Sequence, residues 1–393
     1  MARVDTGVPG LDTILSGGLF KGGVYIIEGT PGAGKTILGN QICFHRASRG
    51  DSVIYVTLLA ESHTRLIAHL RPMAFFRPEL IAASIYYISA FKVLEESGLD
   101  GLLRSVQESV YARKATFLVL DGLVSAEEFA PSSRDFKKFI HGLQTISGMT
   151  DCTVLLLSSS ARGGGLRPEH TMVDGLIELG ETQVGVQSLR HVLVRKMRGA
   201  SQQRGRHALE ISAAGIKIRP RTETLLRTRG EQEQPPSPSS LHDFGVVGLD
   251  AMLRGGLPNG SATIVLGPSG SGKTTLGLQF LSAGRRHNTV GLYVGFYERP
   301  TGLLAKGRRL GLGLAEACND GLLHMFWEAP IEGVLDAVVD RVLRAVVEHK
   351  VTRLVFDGLH GFRHNAEYPD RTRTVFSAFA DELTRLGVTT LFT

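Results

Sequence analysis

The stretch that decides the fold is Val24-Tyr25-Ile26-Ile27-Glu28-Gly29-Thr30-Pro31-Gly32-Ala33-Gly34-Lys35-Thr36. An apolar run that is typical of a buried strand leads into the pattern G-x-x-x-x-G-K-T, and a segment typical of a helix follows. The glycines allow backbone N–H groups to surround phosphate oxygens, and the positive end of the following helix faces the same charge. The stretch therefore predicts an α/β domain with a phosphate-binding P-loop.

A second copy of this pattern follows the apolar run Thr263-Ile264-Val265-Leu266. One match carries little weight in a chain with 47 Gly, but two matches in the same strand and helix context predict binding of ATP. We expect Lys35 and Lys273 to contact the β- and γ-phosphates, and the hydroxyls of Thr36 and Thr274 to bind Mg²⁺. The two predicted cofactor loops are Gly29, Thr30, Pro31, Gly32, Ala33, Gly34, Lys35 and Thr36, and Gly267, Pro268, Ser269, Gly270, Ser271, Gly272, Lys273 and Thr274.

The repeat extends beyond the two loops. Residues 6–12, TGVPGLD, match residues 244–250, FGVVGLD, and the pair Tyr55-Val56 matches Tyr293-Val294 without a gap in between. Self-similarity of this kind indicates two copies of one domain rather than two unrelated domains.

Composition agrees with two domains. The chain has 393 residues, is 42% hydrophobic and carries a formal net charge of +6. It contains neither a secretory h-region nor an apolar run of about 18 residues, so we expect a cytoplasmic protein without a membrane partner. The three cysteines are far apart and do not have metal-site spacing. Residues 229–240, RGEQEQPPSPSS, are typical of a solvated linker. The predicted domains are residues 1–220 and 241–393, with a Pro/Gln/Ser-rich linker over 221–240.

Strand and helix patterns alternate in both domains. Continuous apolar runs at residues 52–57, 116–121 and 153–157 are separated by segments with helical periodicity, and residues 291–294, 353–357 and 389–393 repeat the order. Such runs predict mostly parallel sheets covered on both faces by helices.

Carboxylates follow two of these strands. Asp121 and Asp357 each end a predicted strand and precede Gly-Leu, which favours a role in holding Mg²⁺ over a turn or helix-cap role. Glu61 and Glu298 follow the second strand and are candidates for orienting the attacking water, although Glu61 needs a one-residue shift to match Glu298. The alternative is that both are solvent-facing loop carboxylates.

These features resemble the RecA superfamily, and the tandem copies resemble KaiC-type ATPases in particular. The run Lys196-Met197-Arg198-Gly199 strengthens the likeness. The resemblance implies two RecA-like domains in which Lys196 and Arg198 reach the γ-phosphate of a neighbouring subunit, hence a homo-oligomeric ring, a hexamer. An exposed edge strand protected by cations is the alternative reading.

Two departures from the family limit the inference. Paired glutamates are reduced to Ala60-Glu61 and Tyr297-Glu298, which argues for slow hydrolysis. The second domain stops at the counterpart of residues 153–157 and lacks the strands that follow them in the first, so we expect a truncated second domain or a fragment. The serine/threonine autokinase activity that the resemblance implies would need residues of that missing segment.

The function predicted from the sequence is a Mg²⁺-dependent, slowly hydrolysing ATPase that acts as an oligomeric conformational switch for an unidentified protein partner. Two alternatives remain open. A DNA-stimulated motor would use the basic loop around Arg162 and Arg167, although this loop lacks aromatic residues for stacking bases. A non-hydrolysing, ATP-gated scaffold would fit the missing glutamates.

Overall fold

A computed structural model describes residues 2–58, 63–159, 167–184, 187–230, 240–329, 334–364 and 369–393. The chain divides into two compact units, Met1–Pro220 and Arg221–Thr393. Both are α/β units built on parallel strands, as the sequence predicts. No helix among the described residues is both long and apolar enough to cross a membrane.

The first unit contains eleven described strands and seven α-helices. The strands are β1 (Arg3–Val4), β2 (Leu19–Phe20), β3 (Val24–Gly29), β4 (Val53–Thr57), β5 (Ile85–Ser89), β6 (Phe117–Asp121), β7 (Thr153–Ser159), β8 (Gly175–Val184), β9 (Gln187–Met197), β10 (Arg206–Ser212) and β11 (Gly215–Arg219). The helices are α1 (Leu11–Ile14), α2 (Lys35–Ser48), α3 (His63–Leu70), α4 (Phe91–Arg113), α5 (Leu123–Glu128), α6 (Ser133–Thr150) and α7 (Pro168–Met172).

Nine of these strands form one sheet in the order β11-β10-β9-β8-β3-β7-β6-β4-β5. The strands from β8 to β5 in this order run parallel, and β8 to β11 form an antiparallel extension. Helix α2 covers one face, where Leu38 and Ile42 are buried, and α4 and α6 cover the other, where Leu102 and Ile140 are buried. Burial on both faces explains why the central strands read as continuous apolar runs.

The second unit contains seven described strands and eight α-helices. The strands are β12 (Leu241–His242), β13 (Leu257–Pro258), β14 (Ala262–Ile264), β15 (Gly291–Gly295), β16 (Leu323–Trp327), β17 (Arg353–Asp357) and β18 (Thr389–Phe392). The helices are α8 (Thr222–Gly230), α9 (Val247–Met252), α10 (Lys273–Arg286), α11 (Pro300–Arg309), α12 (Leu314–Asn319), α13 (Leu335–Glu348), α14 (Leu359–His364) and α15 (Thr372–Arg385).

The main sheet of the second unit has five parallel strands in the order β14-β18-β17-β15-β16. Its P-loop strand β14 therefore lies at an edge, whereas β3 lies between β7 and β8. The consequence is visible in matched residues: Ile26 is 0% exposed, and its counterpart Ile264 is 52% exposed. The second unit thus keeps the parallel half of the architecture and, in the described part, has no equivalent of the antiparallel extension.

Part of the segment assigned to a solvated linker is helical. Helix α8 packs against α13 and α15 of the second unit. The backbone N–H and the hydroxyl of Thr222 both donate to Asp336 Oδ1 at 2.8 Å, and Arg371 bridges Glu223 and Asp336. The Pro/Ser-rich residues 231–239 lie outside the described residues.

Candidate nucleotide-binding sites

The first P-loop joins β3 to α2. Gly32 and Gly34 have φ angles of 82° and 101°, which side chains other than glycine rarely adopt, so the loop can curl back on itself only with glycine at both positions. Lys35 begins α2, and its Nζ donates to the carbonyl oxygens of Gly29 at 2.7 Å and Thr30 at 3.0 Å. Burial lowers the pKa of Lys35, and the nearby Asp121 carboxylate opposes that shift. A buried ammonium held across an open backbone loop is suited to an anionic ligand.

The end of β6 brings Asp121 to the start of α2. The Thr36 hydroxyl donates to Asp121 Oδ2 at 3.0 Å, so the two residues predicted to hold Mg²⁺ in the first unit lie together. Asp121 is buried, and a buried carboxylate beside a hydroxyl supplies the oxygen ligands that Mg²⁺ prefers. These residues therefore fit the implied cation.

A tyrosine that the sequence analysis did not assign to the site holds this carboxylate. Tyr55, on β4, donates to Asp121 Oδ2 at 2.7 Å. Burial, reinforced by the Asp121 charge, raises the pKa of Tyr55 well above its usual value, so the phenol stays a donor. Its counterpart Tyr293 donates to Asp357 Oδ2 at 2.6 Å. The available signal was a tyrosine at the same position of an otherwise aliphatic strand in both copies.

The second P-loop repeats the geometry of the first at its lysine. Lys273 Nζ donates to the carbonyl oxygens of Gly267 at 2.8 Å and Pro268 at 2.9 Å. Lys273, Thr274 and Asp357 line one cavity of about 590 Å³. Asp357 also accepts a hydrogen bond from the Thr393 hydroxyl, so both of its oxygens have protein donors.

The structure describes the surroundings of only one of the two candidate glutamates. Glu61 lies outside the described residues. Glu298 lines the cavity of the second unit, and each of its carboxylate oxygens accepts from Lys306 Nζ at 3.0 Å. The sequence analysis did not identify Lys306, because a single lysine on an amphipathic helix gives no signal by itself.

Lys196, near the end of β9, and Arg198, directly after it, both contact the carboxyl-terminal turn of α7. Lys196 Nζ donates to the carbonyl oxygens of His170 at 3.0 Å and Thr171 at 2.8 Å, and Arg198 donates to the same Thr171 oxygen at 2.7 Å. Met197 between them is buried, so the two cations leave the opposite face of the chain, as their alternation predicts.

The sheet register places these cations far from the P-loop of their own unit. Lys196 pairs with Leu176, which pairs with Ile26 near the amino end of β3. The N–H of Arg198 donates to Asp174, whose own N–H donates to Val24. Along β3, Ile26 is three residue steps and Val24 five residue steps from Gly29, which is about 10 Å and about 16 Å at ~3.3 Å per residue. The end of β9 from Val194 onward pairs only with β8 among the described strands, so the edge-strand reading also remains open.

The candidate nucleic-acid loop is only partly described. Arg162 lies outside the described residues. Arg167 pairs with Glu127 at 2.7 Å.

Comparisons with known proteins agree with this geometry. A family model described as "ATPase: KaiC" matches residues 4–223 and 243–393. The chain is 25% identical over 371 residues to the circadian clock oscillator protein KaiC 1 of Synechocystis, covering 91% of this chain and 70% of the relative. It is 23% identical over 368 residues to KaiC of Picosynechococcus, with the same coverage. A UPF0273 protein of Methanopyrus kandleri is 29% identical over 251 residues, covering 58% of this chain and 96% of the relative.

The family match covers both units and includes both P-loops, the two strand-end aspartates, and the strand that carries Lys196 and Arg198. The chain therefore belongs to the KaiC family of ATPases.

Proposed function

We propose that the chain is a Mg²⁺-dependent ATPase that turns over slowly at the first P-loop and acts as an oligomeric conformational switch. The observation that carries this proposal is the contact between Thr36 and Asp121 at 3.0 Å beside a P-loop whose Lys35 lies across the loop. A nucleotide-binding site with a ready pair of oxygen ligands at its phosphate end is suited to a triphosphate and a divalent cation.

Each described residue has a part in this chemistry. Bound Mg²⁺ would neutralise charge that develops between the β- and γ-phosphates. Thr36 and Asp121 would hold the cation, Tyr55 would fix the orientation of the Asp121 carboxylate, and Lys35 would contact the phosphates. Glu61 is our candidate for orienting the attacking water, and the absence of a second glutamate beside it is the reason we expect slow turnover.

Lys196 and Arg198 are proposed to act on the site of a neighbouring copy. Lys196 is level with Ile26 and Arg198 with Val24, about 10 and about 16 Å along the sheet from Gly29, and both donate to the carbonyl oxygen of Thr171, which points them away from the phosphates of their own unit. A cation pair that reaches the γ-phosphate of an adjacent subunit would stabilise the charge of phosphoryl transfer. A closed ring, a hexamer by family resemblance, is the assembly that gives every copy such a neighbour.

The second unit is proposed to serve chiefly as a nucleotide-binding platform. Among the described residues no hydrogen bond joins Thr274 to Asp357, whereas in the first unit Thr36 donates to Asp121 at 3.0 Å. These contacts favour one part of the scaffold hypothesis, namely that the second unit binds nucleotide without hydrolysing it efficiently. A DNA-stimulated motor is less favoured, because Arg167 is already paired with Glu127.

Two finer points remain proposals from family resemblance: a protein partner in the cytoplasm, and serine/threonine autokinase activity. The residues that carry this activity in the family belong to a segment without a counterpart in residues 241–393, and Thr171 is the candidate phosphosite at the matching place in the first unit. Its carbonyl group accepts hydrogen bonds from both Lys196 and Arg198. Incorporation of labelled phosphate that Thr171→Ala abolishes would support the kinase proposal.

The first test is steady-state ATP turnover with and without single-stranded DNA. A slow rate that DNA leaves unchanged would support the switch, and a rise of tenfold or more would favour the motor.

The second test addresses the site between copies, in a Lys273→Ala background that removes the second P-loop. One variant carries Lys196→Ala and Arg198→Ala, and the other carries Lys35→Ala. Each should be inactive alone, whereas an equal mixture should recover activity at about a quarter of the interfaces by random assembly. Two variants that stay inactive after mixing, while each still assembles, would contradict action in trans.

A further inference from the structure

The nucleotide cavity of the second unit contains a lysine in addition to the P-loop lysine. Lys306, on α11, contacts both carboxylate oxygens of Glu298 at 3.0 Å, and both residues line the cavity with Lys273, Thr274 and Asp357. The side chains of Lys306 and Glu298 are 31% and 44% exposed, so each can move without disturbing a packed core.

The repeat shows that this lysine is not required by the fold. In the ungapped register Lys306 corresponds to Ala68, on α3 of the first unit, and the one-residue shift that aligns Glu61 brings His69 there instead. The α11 core residue Leu303 corresponds to Arg65 in the ungapped register and to Leu66 in the shifted one, so only the shifted register keeps this position apolar. In that register, the second unit has a lysine at its cavity where the first unit has His69.

The geometry points to a role for Lys306 as a γ-phosphate sensor acting within its own unit, and this inference rests on the proposed binding of ATP. Without a γ-phosphate, Lys306 holds the Glu298 carboxylate. When ATP occupies the cavity, the ammonium transfers from a singly charged carboxylate to the more highly charged γ-phosphate. Glu298 is then left without its lysine partner.

Charge explains why the exchange would follow the nucleotide. Lys273 and Lys306 are the two lysines that line the cavity. Lys273 donates to two P-loop carbonyl oxygens, and phosphate oxygens would take the place of these acceptors when nucleotide binds. Coulomb attraction favours the γ-phosphate over the carboxylate as the partner of Lys306, since the distances are similar and the phosphate carries more charge. ADP lacks that group, so Lys306 would remain on Glu298. The second unit should therefore prefer ATP to ADP because of one side chain.

The test measures the affinity of the full chain for fluorescent ATPγS and for fluorescent ADP, in a Lys35→Ala background that silences the first P-loop. Lys306→Met keeps the apolar stem and removes the charge. We expect it to weaken ATPγS binding about tenfold, as for the loss of one charge-assisted hydrogen bond, and to leave ADP binding unchanged. Lys306→Arg should restore the preference. Arg309→Met, an exposed cation at the end of the same helix, is the matched control and should behave as the parent does.

A second variant separates a sensor from an ordinary ion pair. Glu298→Gln also breaks the pair, but it frees Lys306 for the phosphate, so it should strengthen ATPγS binding relative to ADP. That gain should shrink when Lys306→Met is also present. Equal effects of Glu298→Gln and Lys306→Met, or a preference that Lys306→Met leaves intact, would overturn the sensor. A chain that binds neither nucleotide through Lys273 would instead refute the proposed function of the second unit.

Discussion

Single side chains at the carboxyl ends of the central strands determine the chemistry of both sites. Asp121 and Asp357 occupy the same strand position, and each accepts a hydrogen bond from a buried tyrosine one strand away, Tyr55 or Tyr293. The aspartates could be identified from the sequence because a carboxylate after an apolar strand is a recognisable pattern. The repeat marks the two tyrosines, but their role could not be predicted, because a tyrosine in a strand is usually a packing residue and only the fold shows which atom its hydroxyl contacts.

Replacement of Tyr55 by Phe should weaken the dependence of turnover on Mg²⁺ rather than the binding of nucleotide. The ring remains packed, but Asp121 loses the donor that fixes its orientation. We expect the Mg²⁺ concentration for half-maximal turnover to rise threefold to tenfold, in line with one hydrogen bond worth about 1 kcal/mol. Tyr86→Phe is the matched control, because its hydroxyl donates to a surface carbonyl, that of Ala83. An unchanged Mg²⁺ profile would remove Tyr55 from the site.

His242 gives a prediction about pH. It occupies the place of Val4 in the repeat and pairs with Leu257, as Val4 pairs with Leu19. Burial, with the charge of Arg353, lowers the pKa of His242 to about 4, and its Nδ1 has no hydrogen-bond partner among the described residues. Because the folded-state pKa of His242 lies below its unfolded value of about 6.5, the second unit loses stability as the pH falls from 6.5 towards 4.

His242→Val should therefore stabilise the second unit, and more at pH 5 than at pH 8. At pH 8 removal of an unsatisfied buried nitrogen should raise the free energy of unfolding by about 1 kcal/mol. Thermal melts of parent and variant at the two pH values measure the difference. A gain that does not grow on acidification would show that His242 titrates normally in the folded state.

At the scale of elements, the length of a segment and the periodicity of its apolar residues determined which strands and helices could be predicted from the sequence. The long apolar runs of β3, β6 and β7 were predicted to within a few residues. The edge strands β5 and β16 were missed because their partial burial weakens the apolar pattern. Helix α8 was missed because its polar sequence favours a helix only once α13 and α15 supply partners.

The contact of α8 with the second unit depends on Arg371. Arg371→Met would leave the 2%-exposed Asp336 buried without its cation and Glu223 paired with Arg221 alone, which should destabilise the second unit by about 3 kcal/mol. Burial acts to raise the pKa of Glu223, but its contacts with Arg371 lower it to about 2. The stabilisation is therefore complete above an unfolded pKa of about 4.3 and is lost as the pH falls towards 2.

Chemical denaturation of the parent and Arg371→Met at neutral pH and near pH 3 measures this contribution. The gap between the two should narrow in acid. Arg373→Met, an exposed neighbour on α15, should have little effect at either pH. If Arg371→Met is as stable as Arg373→Met, then α8 is held by apolar contacts and the ion pairs are incidental.

At the scale of the whole molecule, the two copies of the repeat contain nucleotide sites that differ in strand position and in side-chain contacts. The P-loop strand of the first unit is central, and its buried Asp121 contacts Thr36. The P-loop strand of the second unit is an edge with Ile264 half exposed, and Glu298 is bound by Lys306. The sequence predicted two copies and the missing strands, but the difference in chemistry follows from contacts that only the folded chain defines.

This inequality predicts that the two P-loop lysines are not equivalent. Lys35→Ala should remove most ATP turnover, by a hundredfold or more if phosphate stabilisation is lost, whereas Lys273→Ala should leave at least half of it. The two variants should bind equal amounts of nucleotide, because each should lose one of two sites and keep the other. Turnover of the two variants and of the parent, with bound nucleotide counted in parallel, tests both statements. If Lys273→Ala abolishes turnover while the chain still binds one nucleotide through Lys35, the second unit is the catalytic one and the assignment of roles is reversed.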